Sequence, residues 1–577
     1  MILDLSERGA DEPLPELEDA FDLVVVGTGP AGGVVVAELA RLAPLLKIAV
    51  LESGRRRPWA FADRLRKAPW DGMRIKPHSR ERVLGGASTT WSGLSSPMDP
   101  IELADRPWLE VEGWPLDAAA LAPYYQAAAE RYRFAAPADH TTSSDRPGGA
   151  LAGVRESRDF QPVWEGLEEK VFLAAEEPQD FGKELAGEYE RGHVTLAFDA
   201  SVTRLEHEST DDGARRVVAA HVRASTGRTV RVTGARFVVA TGGIENARLL
   251  LLSELGSDAV GRYMMNHPKN YAGIVTLREP TRSLPYFFGC IAQGFAGYGG
   301  LRLTDAEERA EELVNAYVRF EPLFPWSDNR GVEALVHLVK RSQFLLTFWK
   351  RSKKDAVIEL RDYSETGDDS ELDEEQLSYF GLIARVCRHL PSVLAYVKSR
   401  VLDRGGPLVK RVRVRNFMEM EPRAENRVSL DEERDAHGSP LPRVAHAPSE
   451  RDKRSLVRLH QRLADELARV GFGTLTGGLH ELPAGAPWPI DQDASHHIGT
   501  TRMGSDPATS VCDARQLAHG TSNLYLSGAS VFPTSGCANP TYTIVALAVR
   551  LAEYLAGDVD ANQPATAASP PPPALED

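Results

Sequence analysis

Phe21-Asp22-Leu23-Val24-Val25-Val26-Gly27-Thr28-Gly29-Pro30-Ala31-Gly32-Gly33 decides the fold. The apolar run reads as a buried strand that ends at Gly27, Gly33 to Leu42 as the helix after it, and Lys47 to Leu51 as a second strand. The turn matches G-x-G-x-x-G. Its first glycine permits a tight turn, the second lets a pyrophosphate approach the backbone, and the third lets helix and strand pack closely. The phosphate then meets a helix N-terminus. Glu52, in Leu51-Glu52-Ser53-Gly54, sets a carboxylate where the two hydroxyls of an unphosphorylated ribose would lie. The turn alone does not tell a flavin dinucleotide from a nicotinamide one.

Outward from this unit, five further segments narrow the choice. Leu84-Gly85-Gly86-Ala87-Ser88-Thr89-Thr90-Trp91-Ser92-Gly93 is rich in small residues that let a chain run flat against a planar ring and offer it backbone N–H groups. Phe237-Val238-Val239-Ala240-Thr241-Gly242-Gly243 is a strand that ends in a glycine turn. Near the C-terminal end lie Ser495-His496-His497-Ile498-Gly499-Thr500-Thr501-Arg502-Met503-Gly504 and then Asn523 to Pro533, with Gly528-Ala529 closing an apolar strand. Gly536-Cys537-Ala538-Asn539-Pro540-Thr541 opens an apolar helix. Oxidising an alcohol needs a base for the hydroxyl proton and an acceptor for the carbinol hydride. A histidine suits the first task, because its ordinary pKa lies near neutrality. A nearby amide can hold the alkoxide oxygen.

This set of segments resembles the glucose–methanol–choline (GMC) oxidoreductases, closest in motifs to members similar to pyranose oxidase and bacterial glycoside oxidases. The resemblance covers the first hundred or so residues, about 190 to 268, and about 415 to 556. It includes Glu421-Pro422, Asn426-Arg427-Val428 and Leu430. It implies bound FAD, with contacts from Gly27, Gly29, Gly32, Glu52, Ser53, Gly86, Ser88, Thr90, Trp91, Ser92, Val202, Gly528, Ala529, Asn539 and Thr541. Pyranose-oxidase-like members carry the flavin covalently on a histidine in the Leu84–Gly93 segment. Thr90 stands at the nearest counterpart here, so non-covalent FAD is expected. The resemblance also implies His496 as base and Asn539 as its amide partner. His497 is expected to be a structural or secondary group, and His267, in Asn266-His267-Pro268, a structural one. Gly113-Trp114-Pro115 and Tyr124-Tyr125 look like sugar-oxidising members, so the expected substrate is a secondary hydroxyl of a sugar or glycoside.

Bulk properties set the frame. A chain of 577 residues is too long for one simple core. Its net charge of −15 argues against a general nucleic-acid binder. Four scattered cysteines without ligand spacing argue against a disulfide framework or a zinc site, and no metal is expected at the His496-His497 pair. Residues 1 to 19 lack an export signal, and no run is long enough to span a bilayer, so a cytoplasmic protein is expected. O2 or another acceptor would reoxidise the flavin, and neither that choice nor the oligomeric state is legible.

The expected class is α/β with an α+β substrate domain: a Rossmann-type FAD-binding domain and a discontinuous substrate-binding domain on a mainly antiparallel sheet. The expected FAD domain is 18–115, 190–268 and 490–556; the substrate domain is 116–189 and 269–489; 1–17 and 557–577 are flexible termini. Strands are expected at Val194 to Glu206, Arg216 to Ser225, Thr229 to Thr233 and Phe237 to Ala240, and apolar helices at Val332 to Lys354 and Tyr379 to Lys398. Other readings stay open. Phe344, Leu345, Leu346, Phe348, Trp349, Lys350 and Arg351 on a basic amphipathic helix would suit an enzyme of a hydrophobic or polycyclic alcohol. A non-catalytic flavin-binding partner subunit, or a colourless NAD dehydrogenase, are the remaining two.

Overall fold

The computed structural model describes all residues except 9–11, 19, 141–161, 176, 192, 212, 282–283, 285, 288, 292–294, 325, 328, 342–377, 403–407 and 563–577. Phe21–Val26 lies inside an eight-stranded sheet. Outward on one side come Ile48–Leu51, Val194–Phe198 and Ile2–Asp4, all parallel. On the other side is Thr229–Val239, which also pairs in parallel with Leu524–Leu526. Helix Pro30–Leu42 covers this sheet and packs against the C-terminal helix Thr541–Asn562. Both are apolar nearly all round, as a helix between layers must be.

Several details differ from the expectations. Residues 1–17 do not form a flexible terminus throughout: Ile2–Asp4 is an outer strand, and Leu3, Leu5, Leu14 and Leu17 are buried in the main core. The final helix runs past 557 to Asn562. The Val194 to Glu206 stretch is two strands, Val194–Phe198 and Ser201–Ser209, because Asp199 takes φ 54° between them. Conversely, Thr229–Val239 is one strand where a break was expected. Its first half pairs antiparallel with Arg215–Arg223, and from Gly234 onward it pairs with Phe21–Val26. A Cβ at Gly234 would meet Val24 Cγ2 at 2.7 Å, so this glycine marks a close crossing of strands rather than a turn.

The second sheet is antiparallel. Its order runs Phe295–Leu303, Ala316–Leu323, Val409–Met418, Lys269–Thr281, Gly473–Thr476, with Leu167–Ala175 and Gly289–Ile291 flanking the first of these. Helix Glu450–Arg469 backs it through Leu456, Leu459, Leu463 and Leu467, one stripe at helical spacing. Helix Ala118–Tyr132, expected with this sheet, instead joins the core of the first. Tyr125 Oη lies 2.7 Å from Thr543 Oγ1, and Tyr542 Oη donates to the Tyr125 carbonyl at 3.0 Å. In the part without family resemblance, the expected helix at Val332 to Lys354 is seen as Arg330–Arg341, and its remainder lies outside the described residues. The expected helix at Tyr379 to Lys398 is two, Tyr379–Arg388 and Leu390–Leu402, with Pro391 where a continuous helix would need an N–H. No helix among the described residues is long and apolar enough to cross a membrane.

Candidate active site

A cavity of about 360 Å³ runs from the glycine turn at the carboxyl ends of the parallel strands to the face of the second sheet. Three helices begin at its wall, at Pro30, Gly243 and Thr541. Their free N–H groups make that end attractive to a phosphate. Gly27 holds φ 98°, and a Cβ there would meet the Ala240 carbonyl oxygen at 2.6 Å. Among the described residues, its chain neighbours aside, no atom lies within 4 Å of where a Gly29 Cβ would stand, so its backbone is open to the cavity. Gly32 is the exception among the expected contacts: it does not line the cavity, and its Cβ would meet Gly27 O at 2.1 Å. It serves helix–strand packing.

Glu52 is buried at this end. It accepts from the Thr28 amide at 3.1 Å, the Thr28 hydroxyl at 2.6 Å and the Gly54 amide at 2.7 Å. Burial pushes its carboxyl above the usual range, and these donors oppose the shift. Ser53 and Val202 line the cavity beside it.

Gly86, Ser88, Thr90, Trp91 and Ser92 line the middle. Gly85 and Gly86 take φ 90° and 54°, and a Gly86 Cβ would stand 3.1 Å from Gly29 Cα, so the two glycine segments touch. Ser88 Oγ donates to the Gly85 carbonyl at 2.7 Å and accepts from the Phe181 amide at 3.1 Å, which fixes the turn. Opposite, Asn246 Oδ1 accepts from the Thr241 amide at 2.7 Å, and its Nδ2 donates to the Ser527 carbonyl at 2.9 Å. That amide ties the Thr241-Gly242 turn to Gly528-Ala529.

The far end is built of side chains. His496 and Asn539 both face the cavity, each partly accessible from it. His496 Nδ1 lies 2.8 Å from His267 Nδ1. Asn266 Oδ1 accepts from the His267 amide at 2.8 Å and the His496 amide at 3.3 Å, and Asn266 Nδ2 donates to buried Asp493 at 2.6 Å. Burial pushes the His496 pKa well down, with His267, Lys269 and His497 in the same direction and Asp493 opposing. His497 also lines the cavity. A Cβ on Gly243 would meet the His497 carbonyl oxygen at 2.0 Å, so the histidine loop sits directly on that helix start.

Two buried carboxylates hold the Asn539 loop. Glu419 is paired with Arg106 at 2.7 and 2.5 Å and accepts from the Gly536 amide at 3.2 Å. Glu102 accepts from the Cys537 amide at 2.6 Å. Asp99, Glu102 and Cys537 bring three potential ligand atoms together, but the Lys170 ammonium already lies 2.6 Å from Asp99.

Sequence reasoning missed the remaining wall. Tyr298, Tyr317, Arg319, Arg415 and Phe417 of the second sheet line the cavity. Tyr317 stacks on Phe417 with centroids 4.7 Å apart, and Glu321 pairs with Arg319 and, at 3.1 Å, Arg415. Register Arg319↔Arg415 brings these residues together, and no local motif announces such a pairing. His267 was visible as part of a turn, but its contact with His496 spans 229 positions.

Residues 422–548 match the family model described as GMC oxidoreductase. Paromamine 6'-oxidase of Streptomyces fradiae is 34% identical over 26% of this chain and 26% of its own length. A C-glycoside 3-oxidase of Arthrobacter globiformis is 34% identical over 23% of this chain and 25% of its own. The matched part spans about a quarter of these relatives. 2-Methyl-1,2-propanediol dehydrogenase of Mycolicibacterium austroafricanum aligns end to end, 22% identical over 93% of this chain and 95% of its own. In fold, the chain is similar to a formate oxidase of Aspergillus oryzae RIB40, with TM-score 0.54 and 15% identity over 94% of this chain and 99% of that one. Residues 422–548 thus carry the C-terminal domain of the GMC oxidoreductases, and the chain as a whole shares a fold with the formate oxidase.

Proposed function

We propose that this protein is an FAD-dependent oxidoreductase that converts a CH–OH group, a secondary hydroxyl of a sugar or glycoside, to a carbonyl. One observation carries the reading: a single cavity joins the Gly27-Thr28-Gly29 turn to His496 and Asn539. The residues fit FAD. Open backbone at Gly29 and Gly242 stands at two helix starts, and buried Glu52 lies where a ribose would be met. Thr90, not a histidine, lies in the middle wall, which supports non-covalent binding. FAD, when bound, supplies the hydride acceptor at N5.

His496 is the base that takes the hydroxyl proton. Its lowered pKa keeps it neutral, and so able to accept, at pH 7. Asn539, whose amide makes no hydrogen bond within the described residues, donates to the alkoxide oxygen and orients the carbinol C–H. Sugar or glycoside as substrate is supported by the names of the relatives matched over the C-terminal part.

A second reading, a non-carbohydrate alcohol, has one observation in its favour, the end-to-end likeness to a diol dehydrogenase. The helix that suggested an apolar substrate lies outside the described residues. An anaerobic visible spectrum of the purified protein, titrated with sugars, glycosides, aliphatic diols and sterols, tests the proposal. Bleaching by a sugar or glycoside is expected. Bleaching only by diols or sterols selects the second reading, and a protein that neither holds nor takes up FAD refutes both. Admitting air to the bleached protein shows whether O2 serves as acceptor.

A further inference from the structure

The histidine loop contains a hydrogen-bond chain whose direction is fixed by its end. His267 Nε2 lies 3.2 Å from the Ser535 carbonyl oxygen. A carbonyl only accepts, so Nε2 carries the proton and neutral His267 has its lone pair on Nδ1. That lone pair faces His496 Nδ1 at 2.8 Å, with the two rings crossed at 78°. His496 Nδ1 is therefore the donor, and the lone pair of neutral His496 is on Nε2.

We infer that His267 is a positioning residue that makes Nε2 the basic atom of His496 and supports the imidazolium once it forms, an inference that rests on His496 being the base. When Nε2 takes the substrate proton, the charge-assisted Nδ1–H bond to His267 strengthens, and no atom other than that proton changes place. The frame for this is rigid. Asn266 Oδ1 accepts from both histidine amides, and Asp493 anchors Asn266. His267 is buried, and its surroundings hold it neutral: burial pushes its pKa down to about 4. It therefore stays an acceptor over the working range. The charged and titratable groups that face the pair are Asp493, Lys269 and His497 toward His496, and Glu419 and Lys170 toward His267.

Histidine-selective 15N labelling reads the tautomer without turnover. The expected spectrum shows His496 protonated at Nδ1; protonation at Nε2 in the resting protein overturns the inference. Kinetics supply the second readout, in variants first shown to hold flavin. His267→Gln can still accept from His496 and donate to Ser535, whereas His267→Ala can do neither. His267→Ala is expected to slow anaerobic reduction by about 30-fold or more, with the acid limb of the pH profile moved to lower pH because the imidazolium has lost its acceptor. His267→Gln is expected to recover most of the rate and the parental limb. Parental behaviour of His267→Ala overturns the inference, and so does a slow His267→Gln with an unmoved limb, which would mark a packing role only. An undiminished rate in His496→Ala refutes the base assignment itself, whatever the tautomer spectrum shows.

Discussion

The two ends of the cavity are built from different materials. At the Gly27 end the wall is backbone: glycines, helix starts and one carboxylate held by amides. At the His496 end it is side chain, gathered from the 266–269 turn, three strands of the second sheet and two C-terminal loops. A backbone wall recognises what many nucleotides share and fails only when the chain is forced apart. A side-chain wall sets chemistry and selectivity, and each of its members can be removed singly.

Gly32→Ala attacks the first end where it has no slack. The added Cβ would stand 2.1 Å from a carbonyl oxygen of the turn, with no flexible side chain to yield. Complete loss of bound flavin is expected, read from the visible spectrum of the purified variant. Full retention of the cofactor would show that the turn is softer than its contacts suggest.

Glu419→Leu probes the support beneath the second end. It leaves Arg106, fully buried, without its carboxylate, and a loss of about 3–5 kcal/mol is expected. Thermal unfolding should fall well below that of the parent, and a change of only a degree would contradict the role given to this pair. Asn539→Ala removes one donor and little packing. A loss of roughly 10- to 100-fold in the rate of reduction is expected, with the flavin still bound.

A further effect is that of pH on stability. Burial holds His267, His446 and His460 at about 4, 4 and 3. Such groups bind protons in the unfolded chain, near pH 6.5, before they do so in the folded one. Stability is therefore intact above pH 6.5 and falls as pH drops toward 4, by on the order of 2 kcal/mol at pH 5 for one fully buried histidine. Melting temperatures that stay flat from pH 7 to 5 would show that these side chains are not held neutral.

The same contrast explains what could be read before folding. The Gly27 turn, the Gly86 segment and Gly528-Ala529 were legible because each is contiguous and glycine has few reasons to recur at such spacing. Of fifteen expected cofactor contacts, Gly32 alone falls outside the cavity wall. Arg319, Arg415 and Phe417 were silent, since strand register unites them and register depends on pairing between distant segments. The break expected between Thr233 and Phe237 is absent for a related reason: the strand continues through Gly234, where a Cβ would press on Val24, and that contact depends on a segment distant in sequence. The early strand at Ile2–Asp4 was hidden because a short segment among acidic residues gives no periodic signal, and its parallel partner lies near residue 196.

Stopped-flow anaerobic reduction of the parent and of His496→Ala, each with flavin bound, tests the central claim most directly. The account predicts that the variant keeps its yellow spectrum and loses reduction by a factor of about 10³ or more at pH 7. Reduction of His496→Ala at the parental rate would contradict it.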